Sequence, residues 1–135
     1  MINEEFAQVR DFHRAFNSPV SQTPVLLPEE RAKHRAGFML EEIQEFIDSK
    51  DIYDQADAMI DLIYFALGTL VEMGVKPKGI FEVVHEANMA KLWEDGEAHY
   101  REGDGKVIKP PGWEDPFPKI KQVIDKEMFG HGIFD

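Results

Sequence analysis

Residues 52–73, "IYDQADAMIDLIYFALGTLVEM", read as a helix that is apolar on nearly every side and yet carries Asp57 and Asp61. At about 100° per residue the two acids fall about 40° apart. The rest of the circumference is filled by residues such as Met59, Ile60, Leu62, Ile63 and Phe65. A helix that is apolar all round belongs in an interior. Carboxylates carried there cost several kcal/mol each unless they are protonated, paired or bound to a cation. Whatever packs on this helix must therefore supply compensation.

The preceding segment identifies the partner. Pro28 opens a helix that runs to about Asp48, with Glu29 and Glu30 at the positive end of its dipole and a core stripe of Ala32, Ala36, Met39, Leu40, Ile43 and Phe46 or Ile47. A short "DSKD" turn follows, in which Asp51 with Asp54 resembles a capping box, and the second helix stops at Gly74. So short a turn makes the pair an antiparallel hairpin. Glu42 and Glu45 flank the stripe of the first arm, with Glu41 further round. Counted from the turn at about 1.5 Å per residue, Glu45 lies about 8 Å back along one arm and Asp57 about 10 Å along the other. Glu42 comes level with the stretch from Asp57 to Asp61. Four carboxylates thus converge between two helices, and an all-oxygen set with no Cys selects a hard cation, Mg²⁺ or Mn²⁺.

Outside the hairpin, residues 4–16 form a helix on Phe6, Val9, Phe12, His13 and Phe16. "NSPVSQTPVLLP", with three prolines, is an extended connection that crosses the bundle. Pro77 starts a fourth helix that continues to about Asp95 and is ended by Gly96. Then comes a loop-rich stretch with a hairpin turn at Asp104–Gly105, and a last helix over residues 118–130. The fold expected is all-α: a helical bundle built on an antiparallel hairpin, with a loop-rich C-terminal segment, forming one domain over residues 1–135.

Composition narrows the function. A net charge of −11, from 15 Lys and Arg against 26 Asp and Glu, excludes a nucleic-acid clamp but not a nucleotide held through a divalent metal. The absence of Cys fits a reducing compartment and removes disulfides and a Cys nucleophile. "MINEEFAQVR" lacks the pattern of a leader, and Asp61 interrupts the longest apolar run before it could span a bilayer. A soluble cytoplasmic protein with no membrane partner is expected.

"EEIQE", followed twelve residues on by "DAMID", resembles the acid signature of the all-α nucleoside triphosphate pyrophosphohydrolases, the MazG-like superfamily. That signature is Glu-x-x-Glu, a gap, then Glu-x-x-Asp. Glu42, Glu45 and Asp61 match it; Ala58 stands where the third acid is usual, and Asp57 is one position earlier. "FHRAF", "ADAMIDLIYFALGTLVEMGV" and "ANMAKLWEDGEAHYREGDGKVIKP" are similar to the phosphoribosyl-ATP pyrophosphohydrolase-like branch, so the likeness spans most of residues 9–116. It implies hydrolysis of a nucleoside triphosphate between the α and β phosphates, with Glu42, Glu45, Asp57 and Asp61 as metal ligands. Glu41 or Glu45, toward the open side of their helix, is the candidate general base. Asn88, Lys91, Lys106 and Lys109 are implied as phosphate ligands; by themselves they read equally as solvated side chains. The resemblance also implies a homodimer or homotetramer, for which a leftover hydrophobic face would supply the interface.

Several residues keep two readings. Arg35, near the helix angle of Glu42, would pair with that acid first and reach phosphate second. His13 and Phe16 serve either the core or a base pocket, and Trp113 either stacks on a base or covers the core. Glu82 and His85 have the Glu-x-x-His spacing of a carboxylate-bridged di-iron bundle, which requires a second such pair. A non-enzymatic acidic interaction module is the third class, and the setting of Asp61 argues against it.

Overall fold

The computed structural model describes residues 1–130. Five helices follow in order: α1 (Ile2–Ala15), α2 (Glu29–Asp48), α3 (Ile52–Met73), α4 (Pro77–Met89) and α5 (Phe117–Gly130). Between α4 and α5 lies a small antiparallel ribbon, β1 (His99–Tyr100) paired with β2 (Val107–Ile108), with His99 opposite Ile108. The ribbon encloses the expected Asp104–Gly105 turn. Among the described residues no single helix is long and apolar enough to cross a membrane.

The α2–α3 hairpin forms as its sequence requires. Asp51 caps α3 by accepting from the Asp54 amide at 2.9 Å. At the far end Gly74 adopts φ 68°, and the Gly74 and Val75 amides return to the Val71 and Leu70 carbonyls at 3.1 and 3.0 Å. The proline-rich connection crosses this end of α3 in extended form: the Ser21 and Val25 amides donate to the carbonyls of Val71 and Met73 at 3.2 and 2.8 Å. The chain bends by 117° into α4, whose first amides are capped from a distance, Lys76 by Glu127 of α5 and Lys78 by Asn3 of α1.

α1 packs on α3, and the buried core is Phe6, Val9, Leu67 and Val71, flanked by Ile2, Val20 and Leu70. Two expectations are corrected here. The fourth helix ends at Met89, with Ala90 as its cap, so Lys91 to Asp95 are outside it; Trp93 and Gly96 instead close a turn with a 2.8 Å bond. The stripe assigned to the core face of α2 is open: Leu40 is 62% and Ile47 65% exposed, while α2 turns Arg35 and Glu42 inward. α3 is likewise bare on one side, with Ile60 61% exposed. The reason is supply: among the described residues only α1 and α2 pack extensively on α3 in one copy.

A Cβ at Gly74 would lie 2.4 Å from the Thr23 carbonyl oxygen, in a left-handed conformation that already costs a residue with a side chain about 1–2 kcal/mol. Gly74→Ala is accordingly expected to destabilise the fold by more than that amount, read as a lowered urea midpoint by circular dichroism.

Candidate metal centre

α2 and α3 bring Glu42, Glu45 and Asp61 together, with one carboxylate oxygen of each within 4.8 Å of the others. The three differ in solvation. Glu42 is 8% exposed, Asp61 is half-buried and Glu45 is open. One Glu42 oxygen, Oε2, is buried with no hydrogen-bond partner. Such a group is stabilised by a proton, a cation or a hydrogen-bond donor supplied from outside these side chains. Burial pushes the Glu42 carboxyl up to about 7, aided by the neighbouring Glu45 carboxyl and by the charges of Asp61 and Asp57. Asp61 is raised for the same reasons, burial first, then Asp57 and Glu45.

The other acids are arranged around this trio. Asp57 is exposed and, with Glu45, Asp48, Ser49 and Asp54, lines a depression of about 290 Å³ beside the hairpin turn. Ala58, where the third acid of the signature is usual, is 2% exposed. Glu41 is exposed and is not one of the three converging residues. No Lys or Arg among the described residues forms an ion pair with Glu42, Glu45, Asp57 or Asp61. The expected pairing of Arg35 with Glu42 is replaced by one with Glu72, at 3.1 Å, because Arg35 points across to the opposite end of α3. Sequence reading missed Glu72. Eleven residues beyond Asp61 places it on the same face of the helix, a periodic signal that was present.

The proposed phosphate ligands lie elsewhere. Asn88 is in the last turn of α4, and Lys91 follows the helix end. The ammonium groups of Lys91 and Lys109 stand 5.6 and 4.6 Å from the centre of the Trp113 ring. The Trp113 indole N–H donates to the Ala87 carbonyl at 2.7 Å, fixing the ring against α4. Lys106 belongs to the ribbon loop, where its amide bonds Asp104 at 3.1 Å. α4 packs chiefly on α1 and α5, so within one copy these groups are not gathered around the acids.

The three suggested base-pocket residues are also split. His13 is buried, with Nδ1 2.8 Å from the Pro19 carbonyl. Phe16 is exposed and packs on Phe12, whose ring meets Tyr64 edge-on. Trp113 touches neither His13 nor Phe16 by ring or hydrogen-bond contact among the described residues. Glu82 and His85 are exposed on α4 and, among the described residues, belong to no group of converging ligands of the kind a di-iron bundle would need.

A family model for phosphoribosyl-ATP pyrophosphohydrolase matches residues 9–88, from α1 through the last turn of α4. The chain belongs to the phosphoribosyl-ATP pyrophosphohydrolase family. The match takes in all the converging acids and Asn88, and ends before Lys91, Lys106, Lys109 and Trp113. The fold is also similar to the crystal structure of a provisionally assigned NTP pyrophosphohydrolase from Exiguobacterium sp. 255-15. The two share 29% identity and a TM-score of 0.54, over 93% of this chain and 96% of that one. No curated protein matches the sequence.

The raised Glu42 group sets a pH dependence whose sign follows directly. In the metal-free fold it keeps a proton between its ordinary value of 4.5 and about 7 that the unfolded chain has lost. Stability without metal therefore falls as pH rises through that window, while divalent-ion affinity rises as the competing proton leaves. Urea midpoints in EDTA between pH 5 and 8 are expected to decline for the wild type and to flatten for Glu42→Gln.

Proposed function

We propose that the protein is a metal-dependent nucleoside triphosphate pyrophosphohydrolase that releases the monophosphate and pyrophosphate. The observation that carries this reading is the partnerless, buried Glu42 oxygen at the centre of three converging carboxylates, in a chain of this family. Hard oxygen donors with no sulfur fit Mg²⁺ or Mn²⁺. Glu42, Glu45 and Asp61 would hold the ion, with Asp57 or Glu41 adding to the set. When bound, it supplies the positive charge that lets phosphate oxygens approach the acids, and it makes a water molecule more acidic.

The side chains then have separable tasks. Glu45 or Glu41, on the solvent side of α2, takes the proton from the attacking water. The new bond forms from that water to the α phosphorus, and the bond from the α phosphorus to the bridging oxygen breaks. Pyrophosphate leaves with the bonding pair. Asn88, Lys91, Lys106 and Lys109 bind the phosphates and offset charge on the departing group. Because α4 and the ribbon do not pack on α2 in one copy, this role requires the lysines of a second chain or a rearrangement. The open apolar faces of α2 and α3 favour the former, as a homodimer or homotetramer. His13, Phe16 and Trp113 remain the candidates for contact with the base, and a cytoplasmic setting would supply nucleotides.

The test is a panel of nucleoside triphosphates, with deoxynucleotides and phosphoribosyl-ATP included, assayed for pyrophosphate with Mg²⁺ or Mn²⁺. Asp61→Asn is expected to lower turnover at least about a hundredfold with the helical spectrum unchanged. Lys91→Ala is expected to cost turnover far more than stability. In ¹⁸O-labelled water the label is expected in the monophosphate. Label only in pyrophosphate, or inorganic phosphate as product, would reject the mechanism, and a monomer in light scattering would reject the assembly.

A further inference from the structure

The hairpin is fastened at two places, and the acids lie between them. One is the covalent turn at Ser49–Asp51. The other is a buried knot of ionic and polar bonds toward the opposite end of α3. Glu72, with a side chain 1% exposed, receives Arg31 through Nε and Nη2 at 2.6 and 2.9 Å, and Arg35 through Nη1 at 3.1 Å. Arg35, itself 6% exposed in its side chain, spends its other donors on α3 as well. Nε donates to the Thr69 hydroxyl at 3.1 Å, and Nη2 donates to the Phe65 carbonyl at 2.8 Å. That carbonyl also accepts from the Thr69 hydroxyl at 2.8 Å. One guanidinium therefore touches three successive turns of its neighbour, which fixes both the separation and the axial register of the two helices.

Gly68 makes room for this. A Cβ there would come 2.4 Å from Arg35 Nη2 and 2.8 Å from His13 Nε2. Arg35 precedes Glu42 by two turns, about 10 Å, and Phe65 follows Asp61 by one turn, about 6 Å. Glu42, Glu45, Asp57 and Asp61 repel one another, and a hairpin tied only at its turn could relax by splaying or sliding. Metal binding would then have to draw the arms back together before it gained anything.

We propose that Arg35 is a positioning residue for the carboxylate cluster: anchored by Glu72, Thr69 and Phe65 and accommodated by Gly68, it holds α2 and α3 in the register that keeps the metal ligands converged. This rests on the metal reading above, and the experiment separates the two. The probe is Mn²⁺ alone, titrated into the full chain and followed by the electron paramagnetic resonance of the free ion, at a temperature well below each variant's midpoint. Arg35→Lys keeps the charge but loses the fork; Gly68→Ala adds a good helix former that displaces the guanidinium; Thr69→Val removes one acceptor at nearly constant shape. Val9→Ala is the control, destabilising the apolar core beside the same stretch of α3 without removing any bond of the knot.

Arg35→Lys and Gly68→Ala are expected to weaken Mn²⁺ binding tenfold or more and Thr69→Val by less, while Val9→Ala lowers the thermal midpoint and leaves the affinity unchanged. A purely structural knot predicts a lower midpoint and the same affinity in every variant, and that result overturns the proposal. If Arg35→Lys does not fold, Gly68→Ala and Thr69→Val decide. A wild type that does not bind Mn²⁺ would sink the metal reading and this inference together, whereas tight binding equal in all variants would sink only this one.

Discussion

Glu42 and Glu72 are both buried carboxylates at the seam of the same two helices, and they are compensated in opposite ways. Glu72 is met by Arg31 and Arg35, so two cations surround one anion. Glu42 is met by Glu45 and Asp61, so three carboxyl groups converge with no ion pair to a Lys or Arg among the described residues. Burial of charge is tolerated in the first case because the Coulombic and hydrogen-bonding gain offsets desolvation. In the second the deficit is left to a proton or an external cation. The rest of the molecule follows from this polarity along one helical pair, with a satisfied end and an unsatisfied end.

The apolar packing is sparing by comparison. Its fully enclosed part amounts to a few side chains from α1 and α3, with Phe6, Val9, Leu67 and Val71 at the centre. Much of the large hydrophobic surface of α2 and α3 faces outward. A chain of this length buries a limited fraction of its surface, and this one spends that fraction on holding α1 against α3. The start of α4 is secured by polar caps from α1 and α5 instead. The acid cluster sits on the most extensively packed pair, while Asn88, Lys91, Lys106, Lys109 and Trp113 sit on a segment joined to the core through fewer contacts.

Helix existence and type were legible from short-range chemistry. Proline at the start of α4, the Asp51 cap and the Gly74 stop act within a few residues, so the pattern that specifies them is local. The meeting of Glu42, Glu45 and Asp61 was legible for a related reason, a short turn and a rise of about 1.5 Å per residue that leave two antiparallel helices little choice of register, whereas Asp57, expected as a fourth member, is not in the converging group. The end of α4 was misjudged because residues 91–95 continue the helical pattern, yet Gly96 folds them back into a turn that delivers the chain to the ribbon.

The sequence by itself determined the elements, the hairpin and the meeting of the acids, all of which depend on spacing along one continuous stretch of chain. Only the tertiary structure decided the partners. That Arg35 answers Glu72 and not Glu42, that Leu40 and Ile47 point away from the core, and that Trp113 is held on α4 by the Ala87 carbonyl depend on which faces of separate helices meet. Helical periodicity states that a face is apolar or charged; it does not state which surface lies opposite. That choice is made by packing, which weighs every contact in the fold at once.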